Sequence, residues 1–358
     1  MRRGICSYTE TVLDYKLPQP IVKHSYNVAM PFATIVIVTW NSAAHLPRCL
    51  SSLSEQTFRD FEVIIVDNGS ADDSYLYFHL QYPNLEIKIK RLKSNIGFAA
   101  ANNIGVDLAQ GQWLVFLNAD AFPGVDWLEQ LLSSVHKYPA YACFSSRQIQ
   151  EHDRNLLDGE GDAYHISGLA WRRNYGQVVY EAVEPAEIFS ACGAAMMVWK
   201  QDFIDLGGFD ESYFSYFEDV DLGFRLRLMG KKVLYLPQAV VFHVGSASTG
   251  RRSDFAVYYE YRNLIWTYYK NMPFPFLQLF LVIHIIALFF FILYITLRGQ
   301  GPVIWRAIFD AARNLPGILE KRREIQSKKK VSSKDIISSM SKGIFDPLRE
   351  FIKRNKKL

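Results

Sequence analysis

Apolar and polar positions along the chain alternate between two regimes. The segment FATIVIVTW (32–40) is a continuous apolar, β-branched run, the pattern of a strand buried on both faces. FEVIIVD (61–67) and QWLVFLN (112–118) repeat it. Between them the apolar residues change to helical spacing. Leu46, Leu50 and Leu53 mark a helix over about 44–56, Asp72 and Asp73 open a second to about 80, and residues 98–109 form an Ala-rich third. EIKIKR (86–91) alternates as an edge strand does, and a helix is expected over 125–137. Strands alternating with helices predict βαβ units and a mainly parallel sheet. Past residue 140 the pattern loosens, and residues 147–190, rich in charge, Gly and Tyr, read as a mixed, flap-like insertion. AAMMVWK (194–200) reads as a strand and 218–229 as a helix ended by Gly230. Strands follow near 232–236 and 239–243, then an aromatic helix over 255–270. Residues 1–31 show no strong period and read as a lead-in segment without the apolar core of a signal peptide.

The longest apolar run is Phe276–Leu297, 22 residues without Asp, Glu, Lys or Arg. As one helix it is long enough for a hydrocarbon core of about 30 Å. A single span puts the remaining tail on the far side from the body. That tail, residues 298–358, holds 16 Lys and Arg against 6 Asp and Glu, and basic segments prefer the cytoplasmic side. A re-entrant or in-plane helix removes the conflict. Residues 302–326 suit an interfacial helix pair broken near Pro316, with Trp305, Ile308, Phe309 and Leu315 toward acyl chains and Arg306, Arg313 and Lys321 to Arg323 toward headgroups.

Composition narrows the class. With 358 residues, 49% apolar and 21% charged, the chain is neither disordered nor fibrous. Cys6, Cys49, Cys143 and Cys192 have no CxxC spacing, which excludes a disulfide scaffold and a cysteine zinc site and fits a reducing compartment. The net charge of +4 conceals an acidic body behind the basic tail, which argues against a nucleic-acid partner and for a tail at an anionic surface.

In open α/β sheets, ligands bind beyond the carboxyl ends of the strands. Three buried strands end in polar groups there: Thr39-Trp40-Asn41, Asp67-Asn68-Gly69-Ser70 and Asn118-Ala119-Asp120. Any one alone reads equally well as a turn. Asp67 suits a ribose hydroxyl or base N–H, and Asp120 suits a divalent cation. Asn95-Ile96-Gly97 precedes the Ala-rich helix, where glycine lets a ligand approach the backbone and the helix N-terminus favours anions. There is no GxGxxG and no GxxxxGK[ST]. Glu218-Asp219-Val220-Asp221 opens a helix. Its acids complement the helix dipole and Asp221 can pair with Arg225, while a carboxylate beside the aromatic run 213–217 can also act as a general base. His243, ending a strand, is either structural or a metal ligand.

From about Ile35 to Lys270 the chain resembles the family 2 glycosyltransferases, in particular the rhamnosyltransferase-like branch. Eight blocks carry the likeness in order: IVIVTWNSAAHLPRCLSSL, FEVIIVDNGSADDS, NIGFAAANN, WLVFLNAD, CGAAMMVWK, LGGFDESYFSYFEDVDLGFRLRLMG, VVFHVGSAS and YRNLIWTYYKN. The resemblance implies a GT-A fold, a Rossmann-like mixed and mainly parallel sheet, over 32–250. Its nucleotide-binding half is 32–120 and its acceptor half 121–250. A connecting helix (251–272), an apolar membrane helix (273–298) and a basic amphipathic tail (299–358) follow. By the same resemblance Thr39, Asn41, Asp67, Asn95, Gly97 and Asn118 contact the nucleotide-sugar donor. Asn118-Ala119-Asp120 takes the place of the family's DXD motif, with Asn in its first position. Asp120 and His243 become ligands for Mg²⁺ or Mn²⁺, Asp219 the catalytic base, and Asp210 and Glu218 residues of the acceptor side.

The implied reaction is a single inverting displacement that moves one sugar, from dTDP-rhamnose or a UDP-sugar. The acceptor is a polyprenyl-linked or polysaccharide one, at the cytoplasmic face of the plasma (inner) membrane. The chain has no QxxRW motif, which processive relatives carry. A non-catalytic nucleotide-sugar-binding or scaffold protein on the same fold is the rival reading; a nucleotidyltransferase is a second, without its Gly-rich basic loop here.

Overall fold

A computed structural model of the chain describes residues 31–355, apart from 73, 75–80, 182–183, 246–249 and 251–252. The helix expected to about residue 80 and the lead-in before Pro31 lie outside the described residues. In the first half β1 (Ala33–Thr39), α1 (Leu46–Ser54), β2 (Phe61–Asp67), β3 (Ile87–Arg91), α2 (Phe98–Leu108), β4 (Trp113–Leu117), β5 (Ala121–Pro123) and α3 (Trp127–Lys137) follow in order. Strands β6 (Tyr141–Gln150), β7 (Leu157–Gly159), β8 (Asp162–Tyr164), β9 (Ala170–Arg172), β10 (Ala186–Ile188) and β11 (Ala195–Trp199) come next. Then come α4 (Lys200–Asp205), α5 (Glu218–Leu228), β12 (Lys232–His243) and α6 (Asp254–Asn271). Helices α7 (Phe276–Leu279), α8 (Leu281–Ile295), α9 (Gly301–Arg313), α10 (Leu315–Ser327), α11 (Ser333–Ser338) and α12 (Asp346–Asn355) complete the described chain.

The main sheet runs β10-β12-β6-β11-β4-β1-β2-β3. β4, β1, β2 and β3 are mutually parallel; β11 is antiparallel to both neighbours, and β6 and β12 are parallel. The β-branched runs are buried on both faces because helices cover both. Ile35, Ile37, Val63 and Ile65 pack with the leucines of α1 and α3 on one side. Val36, Ile64 and Val66 meet the alanines of α2 and Leu222 and Leu226 of α5 on the other. The chain leaves β1 toward β2 and returns to β4 on the opposite flank. The switch point, where such sheets hold ligands, therefore lies between the ends of β1 and β4.

Three expectations change. The loosened region after 140 contains a long central strand, β6, whose YACFSSRQIQ is buried almost throughout although half its residues are polar. Trp127 Nε1 donates to Ser146 Oγ at 2.8 Å and Gln150 Nε2 to the Leu157 carbonyl at 3.0 Å, so internal partners replace water for these groups. The strands expected at 232–236 and 239–243 form one strand. A register shift between Leu236 and Val240 absorbs Pro237, which has no N–H to give the ladder.

The apolar run is not one 22-residue helix. α8 has 15 residues, and the helical path breaks at Gly299, φ +87°, before α9. α9 and α10 then return to the body. Trp266 Nε1 donates to the Ala311 carbonyl at 3.1 Å and Arg322 Nη1 to the Met272 carbonyl at 2.6 Å. The expected interfacial faces are corrected accordingly. Trp305 and Phe309 are exposed, but Ile308 and Leu315 turn inward toward Trp266, and Lys321 and Arg322 bind the body rather than pointing at headgroups.

Candidate active site

The β1, β2 and β4 ends converge through short loops. Asn68 N donates to the Thr39 carbonyl at 2.8 Å, and Asn68 Nδ2 to Asn95 Oδ1 at 2.9 Å, so the loops after β1, β2 and β3 form one rim. Thr39 and Asp67 are fully buried. Thr39 Oγ1 has no hydrogen-bond partner, while Asp67 Oδ1 accepts from Ser70 N at 3.1 Å and Oδ2 lies 3.3 Å from Arg91 Nε. Asn41 sits in the left-handed region, φ +53°, where its Oδ1 accepts from Ala71 N at 2.8 Å. Gly97 has another reason to be glycine than ligand access. At φ +93°, a Cβ there would lie 2.6 Å from the Phe214 carbonyl oxygen, so the loop before α5 occupies the space expected for a ligand.

The β4 end carries Asn118 and Asp120 to the end of β12. His243 Nε2 is 3.4 Å from Asp120 Oδ1 and 3.5 Å from Asn118 Nδ2. Its other nitrogen, Nδ1, lies 2.8 Å from Asp158 Oδ2, which also pairs with Arg172 Nη1 at 2.5 Å. Burial alone would lower the imidazole pKa, but the Asp120 and Asp158 carboxylates raise it to about 9. Asp120 is held below the ordinary carboxylate range by that imidazole, against the effect of its own burial.

Arg172 links this group to Asp219. Its Nη2 donates to Cys192 Sγ at 2.9 Å, and a carboxylate oxygen of Asp219 lies within 4.8 Å of that sulfur and of Asp162. The Gly193 and Val220 N–H groups donate to Asp219 Oδ2 and Oδ1, each at 2.8 Å. Burial raises the Asp219 pKa, and burial with the Asp219 charge raises that of Glu218 much further. Two adjacent carboxyls in one buried site thus favour different protonation states: Glu218 neutral, Asp219 the first to ionise.

The donor chemistry fits a hard divalent cation at Asp120 and His243. A carboxylate and an imidazole nitrogen face each other, where a cation would displace the proton that the two carboxylates otherwise favour on the ring; Asn118 Oδ1 is buried without a hydrogen-bond partner, and Asp158 orients the ring as outer-shell carboxylates do. The Asp162–Cys192–Asp219 group fits less well. Burial pushes its thiol up to about 12, and a protonated sulfur is a poor partner for Mg²⁺ or Mn²⁺.

The loop ahead of α5 is strained. Phe214, Tyr216 and Phe217 all have positive φ, +64°, +68° and +70°. One side chain of α6 spans it: Asn263 Nδ2 donates to the carbonyls of Tyr213, Ser215 and Tyr216 at 2.9, 2.9 and 2.7 Å. Arg262 Nη2 holds those of Ser212 and Tyr213, both at 2.9 Å. Asp210 lies apart from the strand-end group. Its oxygens meet Lys270 at 2.7 Å and Lys321 at 2.5 Å, and it lines a separate cleft of about 400 Å³ beside α10. Lys270 continues to Asp221, which pairs with Arg225 at 2.7 Å as its i,i+4 spacing predicts.

Asp158, Arg172 and Asn263 are the residues sequence reasoning missed. The first two lie in the stretch read as a flap, and Asn263 in a block whose helical spacing says only that it is partly buried.

Comparison with known proteins agrees with this architecture. The sequence model described as Glycosyl transferase family 2 matches residues 34–207. The N-acetylglucosaminyl-diphospho-decaprenol L-rhamnosyltransferase of Mycobacterium tuberculosis is 31% identical over 240 residues, covering 61% of this chain and 77% of the relative. Among solved structures, the Pyrobaculum calidifontis mannosyltransferase PcManGT in complex with GDP-Man and Mn²⁺ superposes with a TM-score of 0.51 at 18% identity, over 87% of this chain and 86% of that one. S. aureus TarS 1–349 gives 0.54 at 16% identity, over 86% and 90%. These last two likenesses concern the fold, which is of GT-A type. The family match and the rhamnosyltransferase relative place the chain in glycosyl transferase family 2.

Proposed function

We propose that the protein transfers one sugar, with inversion, from a nucleotide-sugar donor to a lipid-linked or polysaccharide acceptor in cell-surface glycan synthesis. The carrying observation is the series of neighbouring groups from Asp120 and His243 through Asp158, Arg172 and Cys192 to Asp219, each within 4.8 Å of the next. It supports reading a cation-type donor set and a base carboxylate as parts of one site. Asp67, Asn41 and Thr39 serve the nucleoside, and Asn95 and Asn118 complete the donor rim.

Asp219 takes the proton from an acceptor hydroxyl as that oxygen bonds to the anomeric carbon. The bond from that carbon to the donor diphosphate breaks, and its electron pair leaves with the nucleoside diphosphate. Asp120 and His243 Nε2 would hold Mg²⁺ or Mn²⁺, with Asn118 beside them; the ion supplies charge neutralisation to the departing diphosphate. Glu218, neutral, keeps a second negative charge away from Asp219, and with Asp210 it belongs to the acceptor half.

Likeness to the decaprenol rhamnosyltransferase favours a deoxysugar such as rhamnose on dTDP, then UDP-sugars, and a polyprenyl-diphosphate acceptor at the cytoplasmic membrane face. The free thiols of Cys49, Cys143 and Cys192 suit that reducing side.

The test is nucleoside-diphosphate release from a panel of dTDP-, UDP- and GDP-sugars, with bacterial lipid extract, with Mg²⁺ or with EDTA. Lipid-dependent release from one donor, lost in EDTA and reduced at least 10³-fold in Asp219→Asn with donor binding retained, is expected. Near-normal turnover in that variant removes Asp219 from the base role. Donor binding without any transfer by the parent chain favours the binding-protein reading.

A further inference from the structure

Helix α8 is apolar on every side, yet its two long faces have different fates. Exposed positions recur at Val282, Ile285, Ile286, Phe289, Phe290 and Leu293, the i, i+3, i+4, i+7 spacing of one stripe. Val282 is 67% exposed and Phe290 63%. The opposite stripe is packed along its whole length. His284 is fully buried, stacked on Tyr268 at 3.9 Å and bonded through Nδ1 to the Ser167 carbonyl at 2.7 Å. Phe291 meets Tyr261 of α6 at 5.7 Å, and Ile295 closes a cluster with Ile304 and Ala307 of α9. A helix that left the body to cross a bilayer would meet lipid all round; this one lies on the body with one apolar side uncovered.

Its length agrees. From Leu281 to the break at Gly299 the helical path holds 18 residues, roughly 27 Å, short of a core of about 30 Å. At Gly299 the chain turns, and α9 lays Ile304, Ala307 and Ala311 onto the body while Trp305 and Phe309 stay exposed, Phe309 at 65%. The cations beside these apolar groups point outward: Arg298 and Arg313 are exposed, and the Arg306 side chain is 75% exposed. An apolar stripe with a cationic rim complements acyl chains below anionic headgroups.

We propose that α8 and α9 form an in-plane hairpin that enters one leaflet of an anionic phospholipid bilayer without crossing it, so that the body and residues 301–355 remain on one side. This rests on the membrane-surface reading above and gives it a geometry.

The test uses the full chain added to preformed vesicles of phosphatidylcholine with phosphatidylglycerol, and of phosphatidylcholine alone. Co-sedimentation with the anionic vesicles is expected. The double substitution Phe289→Asp with Phe290→Asp should weaken it at least tenfold, while Phe289→Leu with Phe290→Leu should retain it. An impermeant maleimide should label Arg323→Cys fully on the bound protein, above the parent's background. Protection of that thiol inside the vesicle would mean a span and would overturn the proposal. A fluorophore on Phe290→Cys should be quenched by lipids brominated high in the acyl chain, independently of the aspartates; no quenching would also overturn it. So would a solution dimer that the aspartates dissociate with vesicle binding unchanged, since the stripe would then join two copies. Nucleotide binding by each variant reports the transferase reading separately. If it is retained while vesicle binding fails in the parent chain, only the hairpin is lost.

Discussion

Replacing Asn263 by alanine removes all three hydrogen bonds that its amide gives to the loop ahead of Asp219. That loop holds Phe214, Tyr216 and Phe217 in the left-handed region, at about 1 kcal/mol or more each for residues with a side chain. The amide has two N–H groups, shared among the three carbonyls, and at a net of about 1 kcal/mol per N–H they offset on the order of 2 kcal/mol, the larger part of the strain. Without them that part is no longer offset. Arg262 on the Ser212 and Tyr213 carbonyls, Ala99 N on the Phe214 carbonyl at 3.2 Å and the stacking of Phe214 on Tyr259 at 5.0 Å are among the restraints that stay.

Part of the loss appears as stability and part as poorer presentation of Asp219. A fall in kcat of roughly 5- to 30-fold follows from about 1 to 2 kcal/mol at about 1.4 kcal/mol per decade. The nucleoside end of the site, at Asn41 and Asp67, touches none of these bonds, so donor affinity should stay within about twofold of the parent, a few tenths of a kcal/mol. Steady-state nucleoside-diphosphate release gives kcat, nucleotide titration gives affinity, and thermal denaturation gives the stability share. A variant with kcat within about threefold of the parent and an unchanged Tm would refute the argument, because the loop would then hold its conformation without Asn263.

Two further outcomes follow from the same geometry. Asp158→Asn removes the charge behind His243 and should weaken Mn²⁺ binding about 10- to 100-fold in a direct titration that needs no turnover; equal affinity would deny Asp158 its orienting role. With Asp219 acting ionised and its pKa raised by burial, kcat should climb with pH through a midpoint above the ordinary carboxylate value of about 4 and level off beyond it. Glu218→Gln exchanges a carboxyl already held neutral and should leave that limb in place; a limb that disappears would make Glu218 the titrating base.

The nucleotide-binding half was readable because each of its strands advertises burial locally: β1, β2 and β4 are β-branched or aromatic and end in polar turns. The helix from Glu218 was equally legible, its acids and Arg225 falling at helical spacing. β6 was not, since Ser145, Ser146, Gln148 and Gln150 carry no hydrophobic signal and are buried only because neighbouring strands and helices enclose them. Asp158 and Arg172 stand 14 residues apart in a stretch without period, and only the packing of β7 and β9 brings them together. At Gly97 the residue type signalled a close approach, but the sequence has no local means of saying that Phe214 rather than a ligand makes it. The 22-residue apolar run shows the same gap in another form. Composition records that a surface avoids water, and only the fold records that half of it already faces protein.

The apolar hairpin is flanked in sequence by segments tied to the body, α6 on one side and α10 with Lys321 and Arg322 on the other. It is therefore a loop of the folded domain and not a terminal anchor. Seated in one leaflet as proposed, it would need no polar stretch threaded through hydrocarbon, so a finished polypeptide released from the ribosome could bind a membrane without a translocon. Residence there would be set by contact area and lipid charge. Headgroup composition would then tune how much of the protein sits at the bilayer, with no change in the amount synthesised.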